Sequence, residues 1–235
     1  MPKEQKYTRK TDRIYIAPFE VALHNQPEDC WVSFLGKVFN LTKLVQEFKN
    51  TDLVKPILAF AGKDVSQWFD ERNGDIRYFI NPVTGCRVPF CPNGPIPHVG
   101  LPTPSSDWKP VLLPWWKDDE RYFVGPLTKR VRPINIINML IGTNVTINVC
   151  CEDTITRIME RYSIFNEDAS SYTWRFDNRN LDMFKTLEEN GIFDERDDYT
   201  HAGLPQSLYT PAIYIYYNDD MKHYLPDSSD EGDIL

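Results

Sequence analysis

Hydrophobic positions in the first part of the chain predict a small unit built from strands and helices. Apolar residues at 31–35 and 38–41, on either side of Gly36 and Lys37, predict two antiparallel strands joined by a two-residue turn. Residues 14–16 have the pattern of a short strand before this hairpin, and the Pro18 that follows suits the start of a short helix.

The same unit continues with helical spacing. The apolar residues between 44 and 48 fall on one face of a helix that Thr42 can cap. A second apolar helix is predicted from residue 57 through 60 and on toward residue 69.

Alternation with a period of two returns in the second half of the chain. Residues 134–149 alternate across a turn at 142–144, which predicts a hairpin. Asp153 can then cap a helix whose apolar stripe runs from Ile155 to Tyr162. Alternation at 172–176 predicts a further strand.

The last predicted elements are a helical turn and a strand. Thr186 and Glu189 have capping-box spacing for a short helical turn. Residues 212–217 are apolar or aromatic throughout, which predicts a central strand that is covered on both faces.

A proline-rich segment separates the two halves. Nine of the 18 prolines fall between Pro82 and Pro114, where they remove backbone donors and interrupt regular structure. Trp108, Trp115 and Trp116 lie in or beside this segment, so we expect an ordered strap that packs on its neighbours. A proline-motif ligand is the weaker interpretation, because no P-x-x-P register repeats.

These patterns predict a protein of class α+β with five parts. They are a basic N-terminal arm (residues 1–13), a first domain (14–85), the proline-rich strap (86–130), a second domain (131–220) and an acidic tail (221–235).

Composition and charge argue against several classes of protein. The 235 residues carry 26 Lys and Arg against 34 Asp and Glu, a net charge of −8, which argues against general nucleic-acid binding. No run reaches the roughly 18 apolar residues of a membrane span, and the N-terminus is too polar for a secretory signal. We therefore expect a cytoplasmic protein with no nucleic-acid and no membrane partner. Five cysteines without C-x-x-C spacing favour reduced thiols.

Enzyme chemistry lacks its usual motifs. The chain has no Gly-rich phosphate loop, no H-E-x-x-H and no G-x-S-x-G. The acidic clusters at 118–120 and 194–198 lie in polar stretches and are typical of a solvated surface. We therefore expect no enzyme activity, no catalytic residues and no metal site.

The order of several short motifs in the first domain resembles the cytochrome b5 haem-binding fold. Together these motifs are far more specific than any one of them alone. They are PFEVA (18–22), HN (24–25), CWVS (30–33), GKVFNLT (36–42) and AGKD (61–64).

The resemblance fails where that family binds iron. The family places its first axial histidine in a His-Pro-Gly-Gly motif, and the corresponding residues here are 48–51, beginning with Phe48. Phenylalanine cannot ligate iron. The family's second axial histidine lies in a region that corresponds to residues 65–75, which contain no histidine. Ordinary bis-histidine ligation is therefore excluded.

Any haem in this chain would need other ligands. His98 on the strap is one candidate, and Cys86, Cys91 and Tyr78 are close to it in sequence. Each has a plainer interpretation as a surface histidine, a buried thiol or a packed tyrosine. His24 stands where the family has a structural His-Asn pair, so a packing role is favoured over ligation. We therefore expect no cofactor, with haem as the alternative.

The second domain resembles the ubiquitin-like β-grasp. Its elements follow the order strand, strand, helix, strand, short strand, helical turn, strand, and residues 174–181 and 186–192 are similar to that fold's third strand and following loop. The chain ends in residues 232–235 without the paired glycines of a conjugated modifier. We therefore expect a binding module instead of a protein tag.

The combination of a b5-like domain, a strap and a β-grasp resembles the cytochrome b5 domain-containing protein 1 family. In that family, histidines fall near the positions of Gln67 and Phe79, so this chain lacks those candidate ligands too. The motifs that carry the wider resemblance are QPEDCWVS (26–33), WFD (68–70), NPVTGCR (81–87), SYTW (171–174) and TLEENGI (186–192).

This resemblance implies a ciliary protein of the axoneme that is associated with radial spokes and supports coordinated beating, with haem-linked redox sensing in some members. Because the ligands are missing, we expect a non-enzymatic structural and interaction protein of the cytoplasm and cilium, with other axonemal and radial-spoke proteins as partners. The alternative is a haem-binding redox sensor or b-type electron carrier with non-standard axial ligands. A third interpretation, a soluble ubiquitin-receptor adaptor, rests on fold analogy alone.

Overall fold

The computed structural model describes two stretches of the chain, residues 14–99 and 113–218. The basic arm (1–13), the middle of the strap with Trp108 (100–112) and the acidic tail (221–235) lie outside the described residues, so the expectations for them stay predictions.

The chain divides into two compact units, Met1–Arg130 and Val131–Leu235. Each unit has a hydrophobic core of its own. The first unit holds α1 (Pro18–Leu23), β1 (Asn25–Gln26), β2 (Asp29–Phe34), β3 (Lys37–Asn40), α2 (Thr42–Glu47), α3 (Lys55–Ala59), β4 (Phe69–Asp70), β5 (Asp75–Ile76), β6 (Tyr78–Ile80), β7 (Arg87–Pro89), α4 (Asp119–Tyr122) and β8 (Phe123–Pro126).

A four-stranded antiparallel sheet is the frame of the first unit. Its strand order is β1-β2-β3-β8, so its last strand comes from the strap. Leu35 and Gly36 form the turn between β2 and β3 with φ of 48° and 75°, a left-handed pair that suits a tight hairpin. The turn therefore lies one residue earlier than the sequence predicts. The strand expected at 14–16 is a single bridge between Ile16 and Leu127.

The short helices of this unit also differ from the prediction. Thr42 does not cap α2, because its hydroxyl accepts a hydrogen bond from the Cys30 N–H at 3.0 Å and the N-cap position falls one residue earlier. α3 ends at Ala59. Its predicted continuation toward residue 69 is instead a 3₁₀ turn (Ser66–Trp68), which leads into the β4–β5 pair.

Four of the b5-like motifs meet around Gly62. This glycine has a φ of 76°, and a Cβ atom here would lie 3.1 Å from both the Ala22 Cα and the Asn25 Cβ. The Gly62 N–H donates to the Trp31 carbonyl at 2.7 Å, and the His24 ring stacks on the Trp31 ring at 3.7 Å. Only glycine combines this backbone conformation with so close an approach.

The second unit is a mixed five-stranded sheet with the order β10-β9-β13-β11-β12. β13 pairs parallel with β9 and antiparallel with β11, and α5 connects β10 to β11. This is the ubiquitin-like β-grasp order that the sequence predicts. The elements are β9 (Val131–Asn138), β10 (Thr143–Cys150), α5 (Ile155–Tyr162), β11 (Tyr172–Phe176), β12 (Arg179–Asn180), α6 (Arg196–His201) and β13 (Ala212–Tyr217).

The cap of α5 lies one residue later than predicted. The Thr154 hydroxyl, and not the Asp153 carboxylate, accepts the Arg157 N–H at the start of the helix. Asp153 is buried and instead accepts the Cys150 N–H at 3.0 Å and pairs with Arg161 at 2.7 Å. The side chain therefore joins the end of β10 to α5.

Among the described residues, only one face of the central strand β13 is fully buried. Ile213 and Ile215 are fully buried, whereas Tyr214 between them is 38% exposed, so the predicted burial on both faces is wrong. The capping box is confirmed: the Glu189 N–H donates to the Thr186 hydroxyl, and the Thr186 N–H donates to the Glu189 carboxylate. Among the described residues, no helix is long and apolar enough to cross a bilayer.

Candidate functional site

The candidate site is the interior of the first unit around Phe48, the residue at the family's first axial position. Phe48 follows directly after α2, is half-buried, and packs against the core of the unit. The Thr51 hydroxyl donates to the Phe48 carbonyl at 2.8 Å and fixes the chain that leaves the helix. The first axial position therefore presents a hydrocarbon ring to the interior.

The region that corresponds to the family's second axial histidine, residues 65–75, contains no helix of the α type. It consists of the 3₁₀ turn (Ser66–Trp68) and the paired strands β4 and β5. Trp68 is 3% exposed and Phe69 is fully buried, and both belong to the core of the unit. The residues that replace the ligand-bearing segment thus supply more aromatic packing.

Trp115 from the strap occupies the centre of this interior. Its side chain is fully buried, and its ring meets those of Phe34 at 5.7 Å, Phe69 at 5.8 Å and Phe39 at 6.4 Å in edge-to-face contacts. Trp116 packs edge-on against Trp115 at 5.5 Å. Edge-to-face contacts of this kind stabilise an aromatic cluster beyond the burial of its area. The strap therefore forms part of the core.

Polar contacts fasten the strap to the frame. Asp75 accepts hydrogen bonds from the Trp116 indole at 2.9 Å and from the Lys117 ammonium at 2.6 Å. Burial acts to raise the pKa of Asp75, but these bonds and the Ile76 N–H outweigh it and hold the pKa below its ordinary value. The Asp75 carboxylate is thus ionised and engaged.

His98 lies beside the first axial position. Its ring meets the Phe48 ring edge-on at 5.8 Å, and its Nδ1 accepts the Trp115 backbone N–H at 3.0 Å. Burial lowers the pKa of His98; Glu47 and Asp118 oppose this shift, and Arg121 adds to it. Since Nδ1 accepts a hydrogen bond in the neutral ring, the proton is on Nε2. In this state His98 is a packing residue. Its Nε2 carries the proton, and its Nδ1 already accepts the hydrogen bond from Trp115.

The other three candidate ligands differ in their exposure. Cys91 is half-buried against the core, and burial raises its pKa, which keeps it a thiol. Cys86 is exposed. Tyr78 is 51% exposed, with the Arg87 guanidinium 4.5 Å from its ring centroid. In the part of the chain that the structure describes, no group of three or more His, Cys, Asp or Glu side chains is arranged to hold a metal ion.

Sequence reasoning missed Tyr122 as a member of this interior. Its ring is 1% exposed and its hydroxyl has no partner among the described residues. Burial raises the pKa of Tyr122, so the phenol stays protonated and does not offer a phenolate. The indole nitrogens of Trp68 and Trp115 are also buried without a partner, and an indole N–H can only donate.

These residues do not fit a haem held by two histidines. Phe48 occupies one axial position, and residues 65–75 offer no imidazole at the other. Trp115 of the strap is part of the core that fills the interior. His24, the remaining histidine of the frame, stacks on Trp31 and bonds Asp29 at 2.6 Å. Neither axial position therefore offers an imidazole for bis-histidine ligation.

Comparisons with known proteins agree with the cytochrome b5-like fold of the first unit. Residues 18–82 match the family model described as "Cytochrome b5-like Heme/Steroid binding domain". Over 210 residues, the chain is 48% identical to cytochrome b5 domain-containing protein 1 of Mus musculus and 46% identical to that of Homo sapiens, with 89% of this chain and 92% of each relative covered. It is 43% identical to the Xenopus laevis protein over 208 residues, which cover 88% of this chain and 95% of that one. The chain therefore belongs to the cytochrome b5 domain-containing protein 1 family.

Proposed function

We propose that this protein is a non-enzymatic structural and interaction component of the ciliary axoneme, associated with radial spokes and supporting coordinated beating. One observation carries the proposal: Trp115 of the strap fills the interior of the b5-like unit beside Phe48. A frame whose interior is filled by its own side chains serves as a rigid platform. The axonemal and radial-spoke placement comes from the family resemblance.

The shape of both units supports an interaction role. The b5-like unit is closed by aromatic packing and by the Asp75 contacts with Trp116 and Lys117. The β-grasp unit buries one face of its sheet, and on the other face of the central strand Tyr214 is partly exposed. Partly exposed tyrosines on a rigid sheet are common anchors in protein interfaces.

Fractionation of cilia tests this function directly. The full chain, carrying an epitope tag, is expected to stay with axonemes after detergent extraction and to leave them only when salt is raised. Retention should be unchanged when cellular haem synthesis is inhibited, and unchanged for His98→Asn, because the proposed role uses neither haem nor an imidazole ligand. Recovery of the wild-type chain wholly in the detergent-soluble fraction would contradict the proposal.

A second function, haem binding with non-standard ligands, is favoured by one contact. His98 lies against Phe48 and so beside the family's first axial position. Titration of the purified chain with hemin separates the two functions: we expect no stoichiometric, sharpened Soret band. A stoichiometric band that His98→Asn abolishes, while Cys86→Ser leaves it unchanged, would establish haem binding at His98 and remove the packed-interior role.

A further inference from the structure

The β6–β7 hairpin and its turn, residues 77–90, form a surface element that the proposed packing role does not use. We call it the ribbon. Its turn is fixed by internal bonds: the Asn81 side chain accepts the Val83 N–H at 2.9 Å, and the Gly85 N–H donates to the Asn81 carbonyl at 2.8 Å. Gly85 has a φ of 66°, a conformation that favours glycine. The tip is therefore ordered by its own residues.

This ordered element exposes apolar side chains on both of its faces. Ile80 is 69% exposed and Val83 is 90% exposed, and Tyr78 and Phe79 are 51% and 44% exposed. The tip's internal hydrogen bonds hold these side chains in solvent without burying them. Contiguous apolar side chains on a rigid surface are typical of an interaction site.

Within the described residues, the edge of β6 that faces away from β7 has no strand partner. The Phe90 N–H donates to the Arg77 carbonyl at 2.7 Å and the Asn81 N–H donates to the Cys86 carbonyl at 2.9 Å, so the hydrogen-bonded pairs fall at 77, 79 and 81. Antiparallel pairs alternate, and the N–H and C=O groups of residues 78 and 80 therefore point away from β7. Within the described chain, β6 and β7 form a sheet of two strands.

The opposite edge of the ribbon is blocked. By the same alternation, Arg87 and Pro89 of β7 direct their backbone groups outward, and Pro89 has no N–H to donate. Proline on one edge restricts strand addition to the other edge. An added strand would thus lie along β6, beside Tyr78 and Ile80.

Charge selects the kind of strand that fits. Residues 76–99 contain Arg77 and Arg87 and no Asp or Glu, although the whole chain carries a net charge of −8. Among the described residues neither arginine has an ion-pair partner, and Arg87 lies over the exposed Tyr78 ring. The ribbon is therefore a cationic and apolar edge on an acidic protein.

We propose that the ribbon is a docking edge for an extended segment of a partner protein in which apolar residues alternate with Asp or Glu. The segment adds to β6 as a third antiparallel strand, pairs with the backbone of Tyr78 and Ile80, and places its carboxylates near Arg87. A second copy of this chain is a poor occupant, because two such ribbons would face each other with like charges. This edge gives the proposed interaction role a specific site and rests on that role.

Fluorescence anisotropy with a labelled peptide tests the edge on the full chain. The probe is a short peptide in which Glu alternates with Val; the comparison peptides are its Lys–Val counterpart and a Glu–Val peptide with alternate backbone nitrogens methylated. We expect the Glu–Val peptide to bind, with an affinity that falls as salt is raised, and both comparison peptides to bind about tenfold or more weakly.

Two variants and two matched controls locate the site. Ile80→Asn and Arg87→Glu should each weaken binding of the Glu–Val peptide about tenfold. Ile164→Asn and Arg179→Glu change exposed residues of the β-grasp unit and should leave it unchanged; Ile164 is 85% exposed. Circular dichroism confirms that each variant is folded.

Several results would overturn the docking edge. They are an absence of Glu–Val binding, equal binding of the methylated or Lys–Val peptide, binding that Arg87→Glu does not weaken, or self-association of the chain that Ile80→Asn abolishes. Axonemal retention is scored separately. If wild-type chain is retained but does not bind the peptide, the edge alone fails; if it binds the peptide but is not retained, the proposed function fails.

Discussion

Trp115 is the side chain on which the interior of the b5-like unit most depends. It is fully buried and meets the rings of Phe34, Phe39 and Phe69. Trp115→Ala removes an indole from the middle of this cluster, so the unfolding free energy should fall by about 3–5 kcal/mol. Urea unfolding followed by circular dichroism measures the change.

The control for this prediction is a substitution at an exposed position of the same unit. Val83 is 90% exposed, and Val83→Ala should change the unfolding free energy by less than about 0.5 kcal/mol. A Trp115→Ala variant as stable as Val83→Ala would mean that the strap does not belong to the core.

His98 should make stability depend on pH. Burial lowers its folded pKa below the unfolded value of about 6.5, so the unfolded chain binds the proton more strongly. The contribution of neutral His98 to stability is therefore fully present above about pH 6.5 and is lost as pH falls through the lower, folded pKa. Wild-type stability should drop over this acidic window, because protonated Nδ1 can no longer accept the Trp115 N–H.

His98→Asn isolates this effect. His98 has a φ of 69°, a conformation that Asn tolerates better than most residues. The variant lacks the titrating ring, so its unfolding free energy should fall less between neutral and mildly acidic pH than that of the wild type. Parallel losses in the two proteins would assign the acid sensitivity to other groups.

At the residue scale, the sequence predicts which residues occupy the site but not which of them are in contact. Phe48 could be predicted at the first axial position because the surrounding motifs fix the local alignment. The contacts of His98 with Phe48 and with Trp115 could not be predicted, since they join segments far apart in the chain. Tyr122 was missed because nothing in its local pattern distinguishes a buried tyrosine from an exposed one.

At the scale of elements, β8 shows how the strap completes the first sheet. β8 pairs with β3, and a Cβ atom at Gly125 would lie 2.8 Å from the Ile14 carbonyl oxygen and 3.2 Å from the Ile16 side chain. Because a backbone oxygen cannot move aside easily, Gly125→Ala should lower the unfolding free energy by about 1–3 kcal/mol. Val124→Ala, at a 40% exposed position of the same strand, is the control and should cost less.

This prediction tests how closely β8 packs against its neighbours at Gly125. If Gly125→Ala matched Val124→Ala in urea unfolding, β8 would not pack against Ile14 and Ile16 as closely as the structure has it. Hydrogen exchange of the β3 amides gives a second measure, and these amides should exchange faster in Gly125→Ala alone.

Element type and order follow the sequence pattern more closely than element boundaries do. The turn between β9 and β10, predicted at 142–144, lies at 139–142, because Thr143 and Asn144 pair with Asn138 and Ile137 in the sheet. The hairpin of β9 and β10, α5 and the strand order of the β-grasp follow the sequence pattern. Errors arose where two polar neighbours compete for one role. Thr154 caps α5 because Asp153 is drawn toward Arg161, and a choice between adjacent polar residues depends on tertiary contacts.

At the scale of the whole molecule, the fold class and the pairing of two known folds could be predicted from motif order. The closing of the b5-like interior could not, because it depends on a strap whose prolines predict only irregular structure. The strap contributes Trp115, α4 and β8 to the first unit. A segment that resembles a linker in sequence is therefore an integral part of a domain.

Three of the five cysteines can report how often each unit opens in one labelling experiment. Cys86 is exposed, whereas Cys30 and Cys150 are fully buried, and burial, helped by Asp29, raises the pKa of Cys30 to about 11. Because the thiolate is the reactive form, a maleimide at mildly alkaline pH should label Cys86 at once and Cys30 and Cys150 only as fast as their units open. Mass spectrometry of quenched samples follows each site.

Variants within each unit make this labelling pattern specific. Cys86→Ser should remove the fast phase and leave the two slow sites unchanged. Trp115→Ala weakens the core that contains Cys30 and should speed its labelling. Asp153→Ala removes the buried carboxylate that joins the Cys150 N–H to Arg161, should lower the unfolding free energy by about 1–3 kcal/mol, and should speed labelling of Cys150. Rapid labelling of Cys30 in the wild-type chain would contradict the closed interior, because a thiol inside that aromatic core reacts only when the core opens.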